Sequence, residues 1–170
     1  PKHDISVGRF EADLCGFYRH DNRLDLKRSF QHPINPLQEV RMKQAKRTAL
    51  ITGSGKNIGR GIAHELARAG HNIVVNGSSD REAAETVVRE IHGLGADGIV
   101  SMGNIGIKKE AESLVERATA AFGSLDIVIN NAAIRPHGPF LDVADTDWQN
   151  VIDVNLNGPI WLARAALPHM

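Results

Sequence analysis

Short apolar runs and amphipathic stretches alternate along the chain from residue 48 to residue 170. Four of the apolar runs have the length and composition of strands that are buried in a sheet. These predicted strands are residues 48–52, 72–76, 98–102 and 125–130, of which 98–102 is the weakest.

The stretches between the runs carry apolar residues at helical spacing, which predicts three amphipathic helices. Their apolar stripes are Ile58, Ile62, Leu66 and Ala69 in the first, Ala84, Val87, Val88 and Ile91 in the second, and Ala111, Leu114, Val115, Ala118 and Phe122 in the third. Gly70 and Gly123 stand where helix C-termini favour glycine, and Ser79 and Glu82 have the spacing of a capping box. Residues 147–170 are predicted to be largely helical, with Pro159 able to bend the helix. The alternation predicts an α/β fold, a doubly wound parallel sheet with helices on both faces.

The composition is ordinary for a globular domain, with 42% hydrophobic and 24% charged residues. No apolar run approaches the length of a membrane span, and no signal-peptide pattern opens the sequence. The single cysteine, Cys15, cannot form an internal disulfide, which favours a cytoplasmic location. The eight histidines lack the spacing of metal ligands, so we predict no metal site and no membrane role.

Residues 1–47 are basic, with 10 Lys/Arg against 6 Asp/Glu, and the rest of the chain is acidic by the same margin. The first segment shows no sustained helical or strand period. Its basic residues do not cluster as they would in a nucleic-acid or lipid site, so we expect no nucleic-acid partner. We therefore interpret residues 1–46 as a poorly structured extension and residues 47–170 as the folded domain, with Met42 as a plausible start of that domain.

Residues 48–63, TALITGSGKNIGRGIA, place three glycines between the first strand and the first helix. Such a turn brings backbone N–H groups and a helix N-terminus together, which suits a pyrophosphate. The common G-x-G-x-x-G fingerprint fails, because the third glycine, Gly59, comes one residue too late, and the P-loop fails because Asn57 follows Lys56. A flexible connection without a ligand is the alternative.

A different set of motifs resembles the short-chain dehydrogenase/reductase family, in particular its 3-oxoacyl-thioester reductases. The family's T-G-x-x-x-G-x-G motif is matched from Thr52 to Gly59, with asparagine at 57 in place of the middle glycine. Its N-N-A-G motif corresponds to residues 130–133, where Ala133 replaces the glycine, and its V-N-x-x-G segment to residues 154–158. Asp126 corresponds to the acid at the start of the fourth strand. The resemblance runs from about residue 48 to residue 170 and implies a Rossmann-type fold.

The resemblance implies a cofactor site with NADP as the expected cofactor and NAD as a possible one. The implied cofactor-binding residues are Gly53, Gly55, Lys56, Asn57, Ile58, Gly59, Asn76, Ser78, Asn104, Ile105, Asn131, Ala132 and Ala133. The end of the second strand lacks the acid that would bind the ribose hydroxyls of NAD, and Lys56 stands where phosphate-preferring relatives carry a cation. Asn57 is expected to adopt a left-handed backbone, which asparagine tolerates best after glycine. Asn104 replaces the family's adenine-binding aspartate, so that contact is expected to be altered.

The family transfers hydride between the cofactor and a carbonyl or secondary alcohol, using a tyrosine, a lysine four residues later, a serine and an asparagine. Only the asparagine has a counterpart here, Asn155, which could instead be a structural kink-former. Tyr18 is the only tyrosine, no lysine stands at position 22, and no serine lies beyond Ser124. We therefore expect this chain to be an N-terminal part of such an enzyme, inactive alone and homo-oligomeric when complete. A non-catalytic dinucleotide-binding module that acts as a sensor or partner protein is the alternative.

Overall fold

The computed structural model describes residues 46–136 and 138–170, and four parallel strands form its centre. They are β1 (Thr48–Ile51), β2 (Asn72–Gly77), β3 (Gly98–Met102) and β4 (Ile127–Ile129). The strand order is β3-β2-β1-β4, with β1 paired to both β2 and β4. The extension predicted for residues 1–46 lies outside the described residues, apart from Lys46.

In the described part of the chain, five α-helices surround the sheet. They are α1 (Asn57–Arg68), α2 (Arg81–Gly93), α3 (Lys108–Phe122), α4 (Asp145–Ile152) and α5 (Gly158–Ala166). Two 3₁₀ turns, Phe140–Asp142 and Leu167–His169, and a π turn, Asp153–Asn157, complete the regular structure. Among the described residues, none of the helices has both the length and the apolar character needed to cross a bilayer.

The alternation of side chains along β1 explains the two layers of helices. Ala49 and Ile51 pack in one buried cluster with residues of α1 and α2, while Leu50 faces a second cluster with residues of α3 and α5. All three side chains are completely buried. The prediction of a doubly wound parallel sheet with helices on both faces is confirmed.

The strand order places a topological switch at β1. The chain leaves β1 towards β2 and returns to its other side at β4, so the connections that follow these strands diverge. Ligands of open α/β sheets bind in the crevice outside the carboxyl ends of strands at such a point. The fold therefore predicts a ligand site at the end of the sheet where the loops after the four strands lie.

The ends of three predicted strands are corrected. The second, predicted as 72–76, extends to Gly77. The first strand stops at Ile51, and the fourth covers only residues 127–129 of the predicted 125–130. Side-chain hydrogen bonds join the two strands beyond both places. Next to the end of β1, the hydroxyl of Thr52 accepts from the backbone N–H of Asn131 at 3.0 Å. At the other end of β4 the carboxylate of Asp126 accepts from the backbone N–H of Thr48 at 2.8 Å.

The predicted capping box of α2 is wrong. Asp80, and not Ser79, is the N-cap, since its Oδ1 accepts from the backbone N–H of Ala83 at 3.0 Å. Both residues are favourable caps by type, and a shift of one residue lies beyond what spacing alone can determine.

The helical prediction for residues 147–170 is correct in outline. The helix begins at Asp145, and Pro159 stands in the first turn of α5, where its missing N–H costs least. The irregularity that proline was expected to cause is a π turn that ends two residues before it, at Asn157. Asn155 lies in this turn.

Candidate functional site

A cleft of about 620 Å³ opens at the carboxyl ends of the strands, at the switch point. All of the residues predicted to bind the cofactor line it except Gly59. It also contains residues that the sequence analysis did not select, namely Gly77, Ser79, Asp80, Ala83, Gly103, Ile134, Asn150 and Val154. The volume lies within the range of small-molecule and cofactor sites, roughly 300–1,000 Å³.

Thr52 and Asn131 join the loops that follow β1 and β4. The buried Thr52 hydroxyl accepts from the backbone N–H groups of Asn131 and Ala132, each at 3.0 Å. The amide nitrogen of Asn131 donates back to the carbonyl of Thr52 at 2.8 Å. These bonds fix the two walls of the cleft relative to each other.

Gly59 does not line the cleft but allows α1 to approach it. A Cβ at this position would lie 2.6 Å from the carbonyl oxygen of Gly53 and 2.6 Å from Nδ2 of Asn131. No side chain can be accommodated there without a shift of backbone. The motif's last glycine is therefore needed for the packing of α1 against the loop. Gly53 itself has a φ of +62°, a left-handed conformation that favours glycine.

The N-terminus of α1 points into the cleft without a side-chain cap. Lys56 is the N-cap residue, and its exposed side chain makes no capping hydrogen bond. Asn57 follows with a φ of +52°, the only positive φ of a non-glycine residue among the described residues. The predicted left-handed conformation of Asn57 is confirmed. An uncapped helix N-terminus presents N–H groups and a positive dipole end to an anion.

Asn76 lines the cleft, but its side chain is used within the protein. Its Oδ1 accepts from the backbone N–H of Gly53 at 3.2 Å, and its Nδ2 donates to the carbonyls of Ser101 and Gly103 at 3.0 Å each. The residue is 2% exposed. Asn76 thus ties the ends of β1, β2 and β3 together, and its contact with a cofactor stays a prediction.

Ser78 and Asp80 lie on the exposed rim of the cleft beside the start of α2. Asp80 is not among the residues that the sequence predicted for the site. In the structure, Asp80 is the N-cap of α2 and lines the cleft. An acid three residues after the end of β2 was the available signal for this position.

The turn after β3 carries the next two predicted residues. Asn104 accepts from the backbone N–H of Gly106 with its Oδ1 at 2.9 Å, while its own N–H donates to Oε2 of Glu110 at 2.6 Å. Ile105 is buried, and its carbonyl oxygen lies 2.9 Å from the position that a Cβ on Gly158 would take. The turn is therefore in close contact with the start of α5.

Asn155 does not line the cleft. Its Oδ1 accepts from the backbone N–H of Ile134 at 2.9 Å, and its Nδ2 donates to the carbonyl of the same residue at 2.8 Å. This double hydrogen bond attaches the π turn to the loop after β4, whose residues Ala133 and Ile134 do line the cleft. The position suits a structural role, and the catalytic role of Asn155 stays a prediction.

Two carboxylates outside the cleft form hydrogen bonds within the fold. Asp126, at the opposite end of the sheet, accepts from the backbone N–H of Thr48 and from the hydroxyl of Ser124, each at 2.8 Å. The hydrogen bond from Thr48 is the main cause that lowers the pKa of the Asp126 carboxyl. Between α1 and α2, the guanidinium of Arg60 holds Glu90 through two hydrogen bonds of 2.8 and 2.6 Å and lowers the pKa of that carboxyl.

Within the described residues, no group of three or more histidine, cysteine or acidic side chains is arranged to hold a metal ion. The chemical groups that line the cleft are backbone N–H groups, amides, hydroxyls, one lysine and, on the rim, the carboxylate of Asp80. These groups bind anionic and polar ligands.

Comparisons with known proteins agree with this geometry. A model of the short chain dehydrogenase family matches residues 47–170. The chain is similar to a 3-oxoacyl-[acyl-carrier-protein] reductase, FabG, of Staphylococcus aureus, with 37% identity over 129 residues, 76% of this chain and 52% of the reductase. A short chain dehydrogenase of Claviceps purpurea is 38% identical over 122 residues, 72% of this chain and 46% of that protein.

Among solved structures, the crystal structure of a short chain dehydrogenase from Burkholderia cenocepacia in complex with NADP is similar, with a TM-score of 0.71 and 34% identity. The similarity covers 75% of this chain and 51% of that one. The chain thus spans about half the length of the curated relatives that it matches.

Proposed function

The chain belongs to the short-chain dehydrogenase/reductase family, and from this premise we propose that it forms the cofactor-binding part of an oxidoreductase that prefers NADP. The proposed reaction is hydride transfer between the nicotinamide and a small molecule with a carbonyl or secondary alcohol. Self-association of the complete protein and a cytoplasmic location remain predictions.

The observation that carries this proposal is the uncapped N-terminus of α1 at the switch point of the sheet. Backbone N–H groups at such an end stabilise a pyrophosphate by hydrogen bonds and by the helix dipole. Gly53 and Gly55 line the adjoining wall without side chains that would obstruct a ligand. The residues present therefore fit a dinucleotide.

The preference for NADP rests on Lys56 and on the absence of an acid at the end of β2. A charge-assisted hydrogen bond to the 2′-phosphate contributes about 1.5–3 kcal/mol, and tenfold in affinity needs about 1.4 kcal/mol. Asp80 opposes this effect, because its carboxylate lies on the same rim, and solvent screens an exposed contact further. We therefore expect a preference at the lower end, around tenfold. The similar structure that contains NADP supports the same choice.

The residues of the cleft have separate tasks in this proposal. The bound cofactor supplies or accepts the hydride. The N-terminus of α1 would hold the pyrophosphate, Lys56 and Ser78 the 2′-phosphate, and Asn104 with Ile105 the adenine. The loop of Asn131, Ala132 and Ala133, fixed by the Thr52 hydroxyl, would form the wall beside the nicotinamide ribose. Asn155 would hold this loop through Ile134.

Paired titrations with NADPH and NADH test the proposal. Lys56→Ala should remove most of the difference between the two affinities and leave NADH binding nearly unchanged. Lys109→Ala is the matched control, since Lys109 is an exposed lysine near the start of a helix, as Lys56 is, but does not line the cleft. Equal affinities in the parent protein, or an equal loss for both cofactors in Lys56→Ala, would contradict the assignment.

Two further observations concern catalysis, namely turnover by the 170 residues and the coding sequence that follows them. The 170 residues should show no ketone reduction above a blank, because loss of the general acid/base alone lowers the rate by about 10²–10⁴. The coding sequence after Met170 distinguishes the alternatives. A Y-x-x-x-K element there supports the oxidoreductase, and a stop codon favours the binding module.

A further inference from the structure

The end of β3 is held from behind by one arginine of α3. Arg117 donates from Nε to the hydroxyl of Ser101 at 2.7 Å and from Nη2 to the carbonyl of Met102 at 2.8 Å. Its Nη1 donates to the hydroxyl of Ser113, one turn earlier on the same helix, at 2.6 Å. The planar guanidinium thus engages three acceptors at once, two of them on the last residues of β3.

The next residues along the chain form a wall of the cleft. Gly103, Asn104 and Ile105 all line it. Nη2 of Arg117 lies 3.6 Å from the position that a Cβ on Gly103 would take, so the guanidinium is directly behind this wall. Glu110, also on α3, holds the backbone N–H of Asn104 at 2.6 Å.

Arg117 differs from the arginines that form ion pairs. Arg60, Arg68 and Arg81 each face a glutamate, whereas no ion pair within the described residues includes Arg117. A partly buried guanidinium whose three nitrogens each donate to a neutral oxygen orients those oxygens through its rigid fork. A lysine has one point charge on a flexible stem and cannot hold the same three acceptors in place.

We propose that Arg117 is a positioning residue for the adenosine half of the cofactor, because it fixes the end of β3 and with it the wall formed by Gly103, Asn104 and Ile105. This inference rests on the proposed function, since it assigns that wall to the adenine. Arg117 does not itself line the cleft. Its removal therefore weakens binding through the position of Asn104, and it leaves the nicotinamide end, formed by Asn131–Ala133 on the other side of β1, unchanged.

The test measures the two halves of the cofactor separately. The dissociation constants of NADPH, of 2′,5′-ADP and of reduced nicotinamide mononucleotide are compared in the parent protein, Arg117→Met and Arg117→Lys. Arg117→Met should weaken NADPH and 2′,5′-ADP by about two- to tenfold, the loss expected when the neutral hydrogen bond from Asn104 to the adenine is misplaced, and leave the mononucleotide unchanged. Arg117→Lys should recover only part of the loss.

Arg89→Met is the matched control, because Arg89 is exposed on α2 and makes one hydrogen bond, to Thr86. If Arg117→Met does not fold, Ser101→Ala removes one acceptor of the guanidinium and should weaken 2′,5′-ADP by a few-fold in the same direction. An unchanged affinity for 2′,5′-ADP, or an equal loss for the mononucleotide, overturns the positioning role. A parent protein that binds neither NADPH nor 2′,5′-ADP instead overturns the proposed function, and the inference with it.

Discussion

Two glycines on α1, Gly59 and Gly61, have opposite surroundings. A Cβ on Gly59 would meet backbone and an amide at 2.6 Å, whereas a Cβ on the exposed Gly61 would meet nothing within 4 Å. Gly61→Ala should raise the free energy of unfolding by about 0.5–1 kcal/mol, because alanine is the better helix former. Gly59→Ala should lower it by roughly 1–3 kcal/mol through overpacking.

Chemical denaturation of the two variants and the parent checks this prediction. Gly61→Ala serves as the control for the substitution itself, since both positions lie on the same helix. Two variants of equal stability would show that the contact between α1 and the loop after β1 is looser than the structure indicates.

Asp126 predicts a pH dependence of stability at the residue scale. Its pKa is lowered in the fold, chiefly by the hydrogen bond from the backbone N–H of Thr48. Its contribution is therefore present above the unfolded pKa, about 3.9, and is lost as the pH falls through the lower folded value. Asp126→Asn should be less stable than the parent at pH 7, by less than about 1 kcal/mol because the group is exposed.

Thermal melts of the parent and Asp126→Asn from pH 7 down to pH 3 measure this difference. The gap between the two melting temperatures should narrow once the pH is below about 4. A gap that is constant over the whole range would mean that the charge of Asp126 has no part in stability.

The sequence predicted single residues well where backbone conformation alone decides. Asn57 was expected in a left-handed conformation from its place in the glycine motif, and it has one. The use of the Asn76 amide could not be predicted, because its partners Ser101 and Gly103 are more than twenty residues away and meet it only in the folded sheet. The position of Asp80 on the rim was missed because the capping-box spacing placed the start of α2 one residue too early, at Ser79.

At the scale of elements, α2 is tied to its cap. Asp80→Ala should destabilise the protein by about 1 kcal/mol, because the backbone N–H of Ala83 loses its acceptor. Ser79→Ala, one residue earlier, should change the stability by less than about 0.5 kcal/mol. Chemical denaturation of both variants discriminates between the two caps. A larger loss of stability in Ser79→Ala than in Asp80→Ala would support the predicted capping box instead.

The order and type of the elements could be predicted because each has a clear hydrophobic period. Every predicted strand and helix is present, and Gly123 ends α3 in a left-handed conformation as expected. The limits of β4 and the π turn could not be predicted, because they are set by contacts between distant segments. Asp126 binds Thr48 just before β4, and the close approach of Gly158 to Ile105 brings the π turn and α5 against the turn after β3.

At the scale of the whole molecule, the boundary of the domain remains a prediction. A chain that starts at Met42 should have the melting temperature and protease resistance of the parent, since residues 1–41 show no amphipathic period and the family match begins at residue 47. Thermal melts and limited proteolysis of both chains measure this. Aggregation or a markedly lower melting temperature of the shorter chain would place the first segment in the core.

The pairing between Asn155 and Ile134 makes one backbone amide a reporter of tertiary structure. Ile134 is 43% exposed in a loop, where amide hydrogens normally exchange with solvent quickly, but its N–H is covered by the Oδ1 of Asn155. Its hydrogen–deuterium exchange should therefore be slower than that of Arg135, and Asn155→Leu should remove the protection while Asn155→Asp keeps part of it. Exchange at this single amide then records, without any ligand or turnover, how often the loop after β4 separates from the π turn.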